Sequence, residues 1–337
     1  MSIEIEVADG THLEKWNEYV EKSQHGTIFH TIEWLKIAEK HSKSKLYPLI
    51  GTHGGEVIGL FPIFYVKKGI LRMIFSPPPK MGIPYLGPAF INYDKLKQNK
   101  KEEMLEGFQE SFEKFIGARL GYNYISVMTC PGISDMRFFK WAGYEIQPQY
   151  TYSIDLSGGA EFVWNNFKKS LRNDIKRAER TEICIEHGKR QDIPAVCEII
   201  KKRFEEQKMK FNIKDGYFLD IYDEFAPRFF DILKFKMDSK MAGGMFFLSY
   251  GKNTYHWQGA VKREHRGLAL ADVLLWSSIK LAAQKRAERY ELVGANTKRL
   301  SAFKSKYNPG LDMYFLAKKG DALGRLAEKA YLRLVKR

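Results

Sequence analysis

Apolar residues recur along the 337-residue chain in two rhythms, and each change of rhythm marks an expected element. Near the start, THLEKWNEYVEK sets Leu13, Trp16 and Val20 at helical spacing behind Thr11, with Glu14 placed to complete a cap. A second helix is predicted around TIEWLKIAEKH. The rhythm then shortens to the alternation of strands. KLYPLIGTHGGEVIGLFPIFYV reads as two strands joined by a glycine-rich turn, and a third follows near ILRMIFS. From Ser76 to Pro88, SPPPKMGIPYLGP holds five prolines and two glycines, which excludes regular helix or central strand and leaves a shaped loop. A helix over roughly 101 to 118, a strand YNYISVM, a short helix near 134 to 142 and a strand around YTYSIDL complete the first half.

The second half repeats that order. Helices are predicted at 160 to 180 and 190 to 208, then strands linked by the short turns DSKM and GKN, a helix over 268 to 287, and a strand RYELVG. A helix TKRLSAFKSKY, a strand LDMYFLAKK and a terminal helix from about 321 follow. Residue identity between the halves is slight, so what repeats is the sequence of elements. The fold class this predicts is α/β, with two tandem domains of mixed sheet flanked by helices, over 1 to 150 and 151 to 337. No GxGxxG or GxxxxGK[ST] is present, which argues against a doubly wound dinucleotide fold.

Composition adds a partner class. A 44% hydrophobic, 14% aromatic chain is globular, and a formal net charge of +15 favours polyanions and anionic surfaces. Cys130, Cys184 and Cys197 have no zinc-site spacing and are odd in number, so they read as reduced thiols of a cytoplasmic protein. No basic and apolar leader and no membrane-length apolar run is seen, and no metal or tightly bound cofactor is expected.

The charge concentrates in KKSLRNDIKRAER, residues 168 to 180, with six basic and two acidic side chains. On a helical wheel Phe167, Leu171, Ile175 and Ala178 share an apolar stripe, while Arg172, Lys176 and Arg180 line the next face. Such a face is either simply solvated or placed to meet an anion. The tail KKGDALGRLAEKAYLRLVKR carries seven basic and two acidic residues, with Leu323, Leu326, Ala330 and Leu334 on one stripe. That stripe either docks on the protein or, across 321 to 337, makes a peripheral contact with an anionic membrane.

Three segments carry a resemblance. YTYSIDLSGGAEFVWNNFKKSLRNDIKRAER resembles the start of the second domain in FemABX-type aminoacyl transferases through Asp155, Leu156, Ser157, Trp164, Arg172, Asn173, Ile175, Lys176, Arg177 and Ala178. HGTIFHTIEWL is similar to that family's first motif through Gly26, Phe29, His30, Thr31 and Trp34, and VGANTKRLSAFKSKYNPG to its last. The resemblance implies two tandem GNAT-like domains and transfer of an aminoacyl or acyl group, from aminoacyl-tRNA or acyl-CoA, to an amine such as a cell-envelope or peptide precursor.

It also implies a site. Lys304 matches the family lysine placed near the tetrahedral oxyanion, with Phe303 beside it; without the resemblance Lys304 reads as a solvent-facing helix lysine. VKREHRGLALAD resembles the GNAT turn that binds a donor pyrophosphate through Arg263, Arg266, Gly267 and Ala269, with its glycine pattern only partly met. Arg172, Asn173, Lys176 and Arg177 join it as donor or phosphate-binding candidates. Candidates for the base are Glu264, His265, His256 and Asp272, each equally readable as a surface or capping residue. In NTYHWQGAV, Tyr255 and Trp257 are expected to face the core, and His256 and Gln258 to line an acceptor groove with Trp34. An alternative from another class keeps the fold without the chemistry, as an RNA- or phosphate-binding protein.

Overall fold

The computed structural model describes residues 2–181, 183–237, 240–265 and 267–335. The chain opens with β1 (Glu4–Val7) and the helices α1 (Gly10–Glu14), α2 (Trp16–Glu21) and α3 (Ile32–Ser42). The strands β2 (Lys45–His53), β3 (Glu56–Lys68), β4 (Leu71–Ser76) and β5 (Ala89–Phe90) lead to α4 (Gln98–Arg119), β6 (Tyr124–Met128) and α5 (Arg137–Trp141). β7 (Glu145–Asp155) carries the chain into α6 (Gly159–Asn166), α7 (Lys169–Ala178), β8 (Cys184–His187), α8 (Ile193–Glu205) and α9 (Asp215–Phe225). Then come β9 (Phe230–Met237), β10 (Lys240–Tyr250), β11 (Asn253–Val261), α10 (Leu270–Gln284), β12 (Arg289–Glu291), α11 (Lys298–Lys304), β13 (Gly310–Gly320) and α12 (Ala322–Val335).

Two compact units result: Met1–Gln149 with Met313–Arg337, and Tyr150–Asp312. The terminal segment, expected in the second domain, belongs to the first. There β13 pairs antiparallel with β6 from Leu316↔Met128 to Gly320↔Tyr124, and Tyr124 Oη donates to Glu328 on α12 at 2.9 Å. In the first unit β1 to β4 form an antiparallel meander, β4 and β6 run parallel, and β13 lies beyond β6. The second unit follows the same plan: β8, β9, β10 and β11 are antiparallel, β11 and β12 run parallel, and β7 lies beyond β12. Each unit is therefore a mixed sheet with helices packed on it.

The helix predicted over 160 to 180 is broken at Phe167, whose backbone is extended (φ −65°, ψ 149°). No glycine or proline marks the break. Its ring instead turns into the second core, edge-on to Tyr307 at 5.2 Å and Trp276 at 5.4 Å, and that burial outweighs helix continuity. The wheel's stripe of Leu171, Ile175 and Ala178 is buried in the same core. The first core gathers Phe61, Phe108, Phe112, Ile125 and Val127. Its proline-rich connection is fastened down: Ser76 Oγ donates to Pro62 O at 2.7 Å, Gly87 N donates to Ser76 Oγ at 3.0 Å, and Leu86 N donates to Met128 O at 2.9 Å.

Candidate active site

The parallel pair of β11 and β12 is short. Its register runs through Asn253↔Arg289 and Thr254↔Tyr290 and ends at Tyr255↔Glu291. β11 continues along β10, with Trp257 inserted as a bulge between the pairs Phe246↔Gln258 and Phe247↔His256. The chain leaving β12 turns the other way, onto β7: Leu292 N donates to Tyr152 O and Ala295 N to Tyr150 O, each at 2.8 Å. A gap therefore opens between the two strands immediately after Glu291, with His256 the first residue on its β11 side.

Lys304 is tied to the segment that leaves β12. α11 starts at an N-cap where Thr297 accepts from Leu300 N, and Lys304, its last residue, points inward with 5% exposure. Its Nζ donates to Val293 O at 2.6 Å and to Gly294 O at 2.8 Å. Burial pulls its pKa down to about 8, the nearby Glu291 carboxylate works against that shift, and Arg299 adds to it. An ammonium has three N–H donors, of which these bonds use two among the described residues. The solvent-facing alternative is excluded by this burial.

His256 lies in reach of the same charge. Burial, with a smaller push from the Lys304 ammonium, pulls its pKa to about 3, so the imidazole is neutral; its Nδ1 is sealed off with no hydrogen-bond partner among the described residues. Glu291 is buried at 3% exposure and accepts from Thr151 Oγ1 at 3.0 Å. Motif and periodicity miss Glu291 and Thr151, although a carboxylate inside the apolar run YELV is itself a signal, because such groups are buried only with partners.

The turn after β11 holds the next set. Gly267 (φ +98°) and Ala269 (φ +51°) take left-handed conformations just ahead of α10, whose first N–H groups have no intrahelical partner. Arg263 and Glu264 are exposed, and His265 Nε2 lies 3.5 Å from Glu264 Oε1. Arg266 lies outside the described residues. Asp272 is committed elsewhere: Lys306 Nζ donates to its Oδ2 at 2.7 Å and Tyr307 Oη to its Oδ1, which leaves it a buried structural anchor and no free base.

α7 packs against α10, and Lys168 N at its start donates to Lys306 O at 3.1 Å, so the basic helix borders the segment that follows Lys304. Arg172 is half-buried, with Nε lacking a partner among the described residues, while Asn173, Lys176 and Arg177 are exposed and Arg177 pairs with Asp174 at 3.0 Å. Phe303 is half-buried against the core under the Lys306 ammonium, which is 4.4 Å from its ring. Gln258 is half-buried on β11. Trp257 packs with Phe218 and Phe230, as expected of a core residue. Trp34 is a correction: at 0% exposure, edge-on to Phe29 in the first unit, it presents no surface to an acceptor.

The acetyltransferase (GNAT) domain family matches residues 165–305, a span that holds His256, Glu291 and Lys304. A search of the curated proteins finds no match. Among solved structures, FemX is 14% identical and covers 93% of this chain and 96% of its own, with a TM-score of 0.71. L-PGS from Bacillus licheniformis is 13% identical, with 98% of each chain covered and a TM-score of 0.59. A tandem GNAT protein from the clavulanic acid biosynthesis pathway is 11% identical, covering 94% of this chain and 98% of its own, with a TM-score of 0.52. Residues 165–305 thus match the acetyltransferase (GNAT) domain family, and the chain has the FemX-like tandem GNAT fold.

Proposed function

We propose that this protein transfers an activated acyl group to an amine, with the reaction centred on Lys304 in the unit Tyr150–Asp312. The observation that carries this reading is the parting of β11 and β12 after Tyr255↔Glu291 beside a buried ammonium. The amine nitrogen attacks the donor carbonyl, the N–C bond forms, and the tetrahedral oxyanion takes the third N–H of Lys304. The C–O or C–S bond then breaks, and the proton lost by nitrogen leaves on the departing oxygen or sulfur or through water. With a pKa near 8, Lys304 is mainly charged at neutral pH, as an oxyanion partner must be. His256 stays neutral and is mismatched to a base at that pH.

The donor's phosphates would meet the left-handed turn at Gly267 and Ala269, the start of α10, and Arg263 and Arg266, with Arg172, Asn173, Lys176 and Arg177 extending the basic border. Aminoacyl-tRNA or acyl-CoA fits that chemistry. The acceptor would be an amine, such as a cell-envelope or peptide precursor, met by Gln258 and His256 along β11. A cytoplasmic protein working at an anionic membrane face is supported by α12, where Leu326 is 65% exposed on a helix bearing Arg325 and Lys329. No helix among the described residues is long and apolar enough to cross a membrane.

The test is direct. Purified protein is incubated with labelled aminoacyl-tRNA or acyl-CoA and a panel of amines, and products are read by mass spectrometry. Transfer that vanishes in a folded Lys304→Ala protein supports the reading, and a wild-type protein that neither binds nor consumes any donor overturns it.

A further inference from the structure

Lys304 is held by backbone that is costly to form. Val293 has φ +52° and Gly294 has φ +84°, two successive left-handed residues, and for a β-branched side chain that region is strained. The strain turns both carbonyl oxygens onto one ammonium, at 2.6 Å and 2.8 Å. A side-chain relay holds the turn from its other side. Gly294 N donates to Thr151 Oγ1 at 3.0 Å, and Thr151 Oγ1 donates to Glu291 Oε1 at 3.0 Å. A carboxylate only accepts, so it fixes the hydroxyl proton toward itself and leaves the hydroxyl lone pair for Gly294 N–H. Thr151 and Glu291 are 0% and 3% exposed, so water does not compete for these bonds. Packing alone asks for no carboxylate in this strand, and burying one is expensive.

We infer that Glu291 is the positioning residue of the transfer site: through Thr151 it fixes the left-handed turn at Val293 and Gly294, and so aims the Lys304 ammonium into the gap between β11 and β12. This rests on the reading of Lys304 as the oxyanion partner, yet the relay can be tested without any donor. The charged and titratable groups that act on Lys304 among the described residues are Glu291 from β12, Arg299 from α11 and His256 from β11. Burial and Arg299 favour the neutral amine and His256 is uncharged, which leaves Glu291 as the group that favours the ammonium.

The experiment titrates Lys304 in the full chain by NMR of 13C-labelled lysine, assigned against Lys304→Met, and runs the transfer assay beside it. Glu291→Gln should lower the Lys304 midpoint by about one unit, and the alkaline limb of kcat should move with it while KM for the donor holds. Thr151→Val should cut kcat about tenfold, and Thr151→Ser should restore it. An unchanged midpoint in Glu291→Gln, or full kcat in Thr151→Val, overturns the inference. Should Glu291→Gln unfold the protein, Thr151→Val reads the same relay from its other end. A shifted midpoint in a protein that transfers nothing leaves the relay standing and sinks the acyl-transfer reading instead.

Discussion

Lys304 enters the interior with its ammonium against two carbonyls, and that burial has a measurable cost. In the folded protein it releases its proton near pH 8, against 10.5 when unfolded, so between those values the unfolded chain binds more protons and stability rises with pH. Below pH 8 the cost is fully present, at about 3 kcal/mol. Denaturant unfolding at several alkaline pH values should show a gain from pH 8 upward that Lys304→Met lacks; parallel curves for the two proteins would contradict the burial. A lysine carried by a recognisable motif is legible in the amino-acid sequence alone. Its partners are not, because Thr151 and Glu291 are 140 residues apart and meet only when β7 and β12 pair. Asp272 is legible as a helix-start residue, but its capture by Lys306 and Tyr307 needs the packing of the segment after α11 on α10.

At the scale of elements, α12 shows how one contact decides a docking mode. Its apolar spacing predicts docking through Leu323, Leu326 and Ala330. In the structure Leu326 and Ala330 are exposed, Leu323 is half-buried, and the side chain of Leu334 lies outside what is described. Among the helix positions whose burial is described, Gly324 is the buried one, and an added Cβ there would sit 1.9 Å from Asn123 O. Gly324→Ala must therefore push the helix from the end of β6, at a cost of roughly 1–3 kcal/mol. Thermal unfolding should register the loss, and amide exchange over residues 322 to 330 should quicken; unchanged exchange would show that the helix is not seated there. Helical spacing alone finds an apolar stripe but does not say whether protein or solvent covers it. The bulge at Trp257 is hidden from the sequence for a related reason, since it exists only relative to the register of β10.

Across the whole molecule, buried histidines set the response to acid. His25 and His30 lie in the first unit and His256 in the second, and burial pulls them to about 4, 3 and 3. Each stays neutral in the folded state while its unfolded form protonates near pH 6.5, so each contributes stability that falls as pH drops from 6.5 toward those values. The first unit holds two such groups. On acidification its amides should exchange before those of Tyr150–Asp312, as hydrogen exchange with mass spectrometry at falling pH would show; simultaneous exchange would count against it. The net charge of +15 acts at the same scale, and it bears on partners and solubility without bearing on the fold.

The sequence by itself determined most of the succession of elements, the mixed-sheet class and the buried stripe of the basic helix, because periodicity and turn residues are local and are written in consecutive positions; β1, β8 and α9 were not legible there. Tertiary structure decided the rest: the break at Phe167, the return of β13 and α12 to the first unit, the burial of Trp34, and the relay from Glu291 to Lys304. Those outcomes depend on which distant strands pair and which surfaces lose water. A strand pairing between residues far apart in the chain is set by the competing burial of whole faces, and no single segment carries that information.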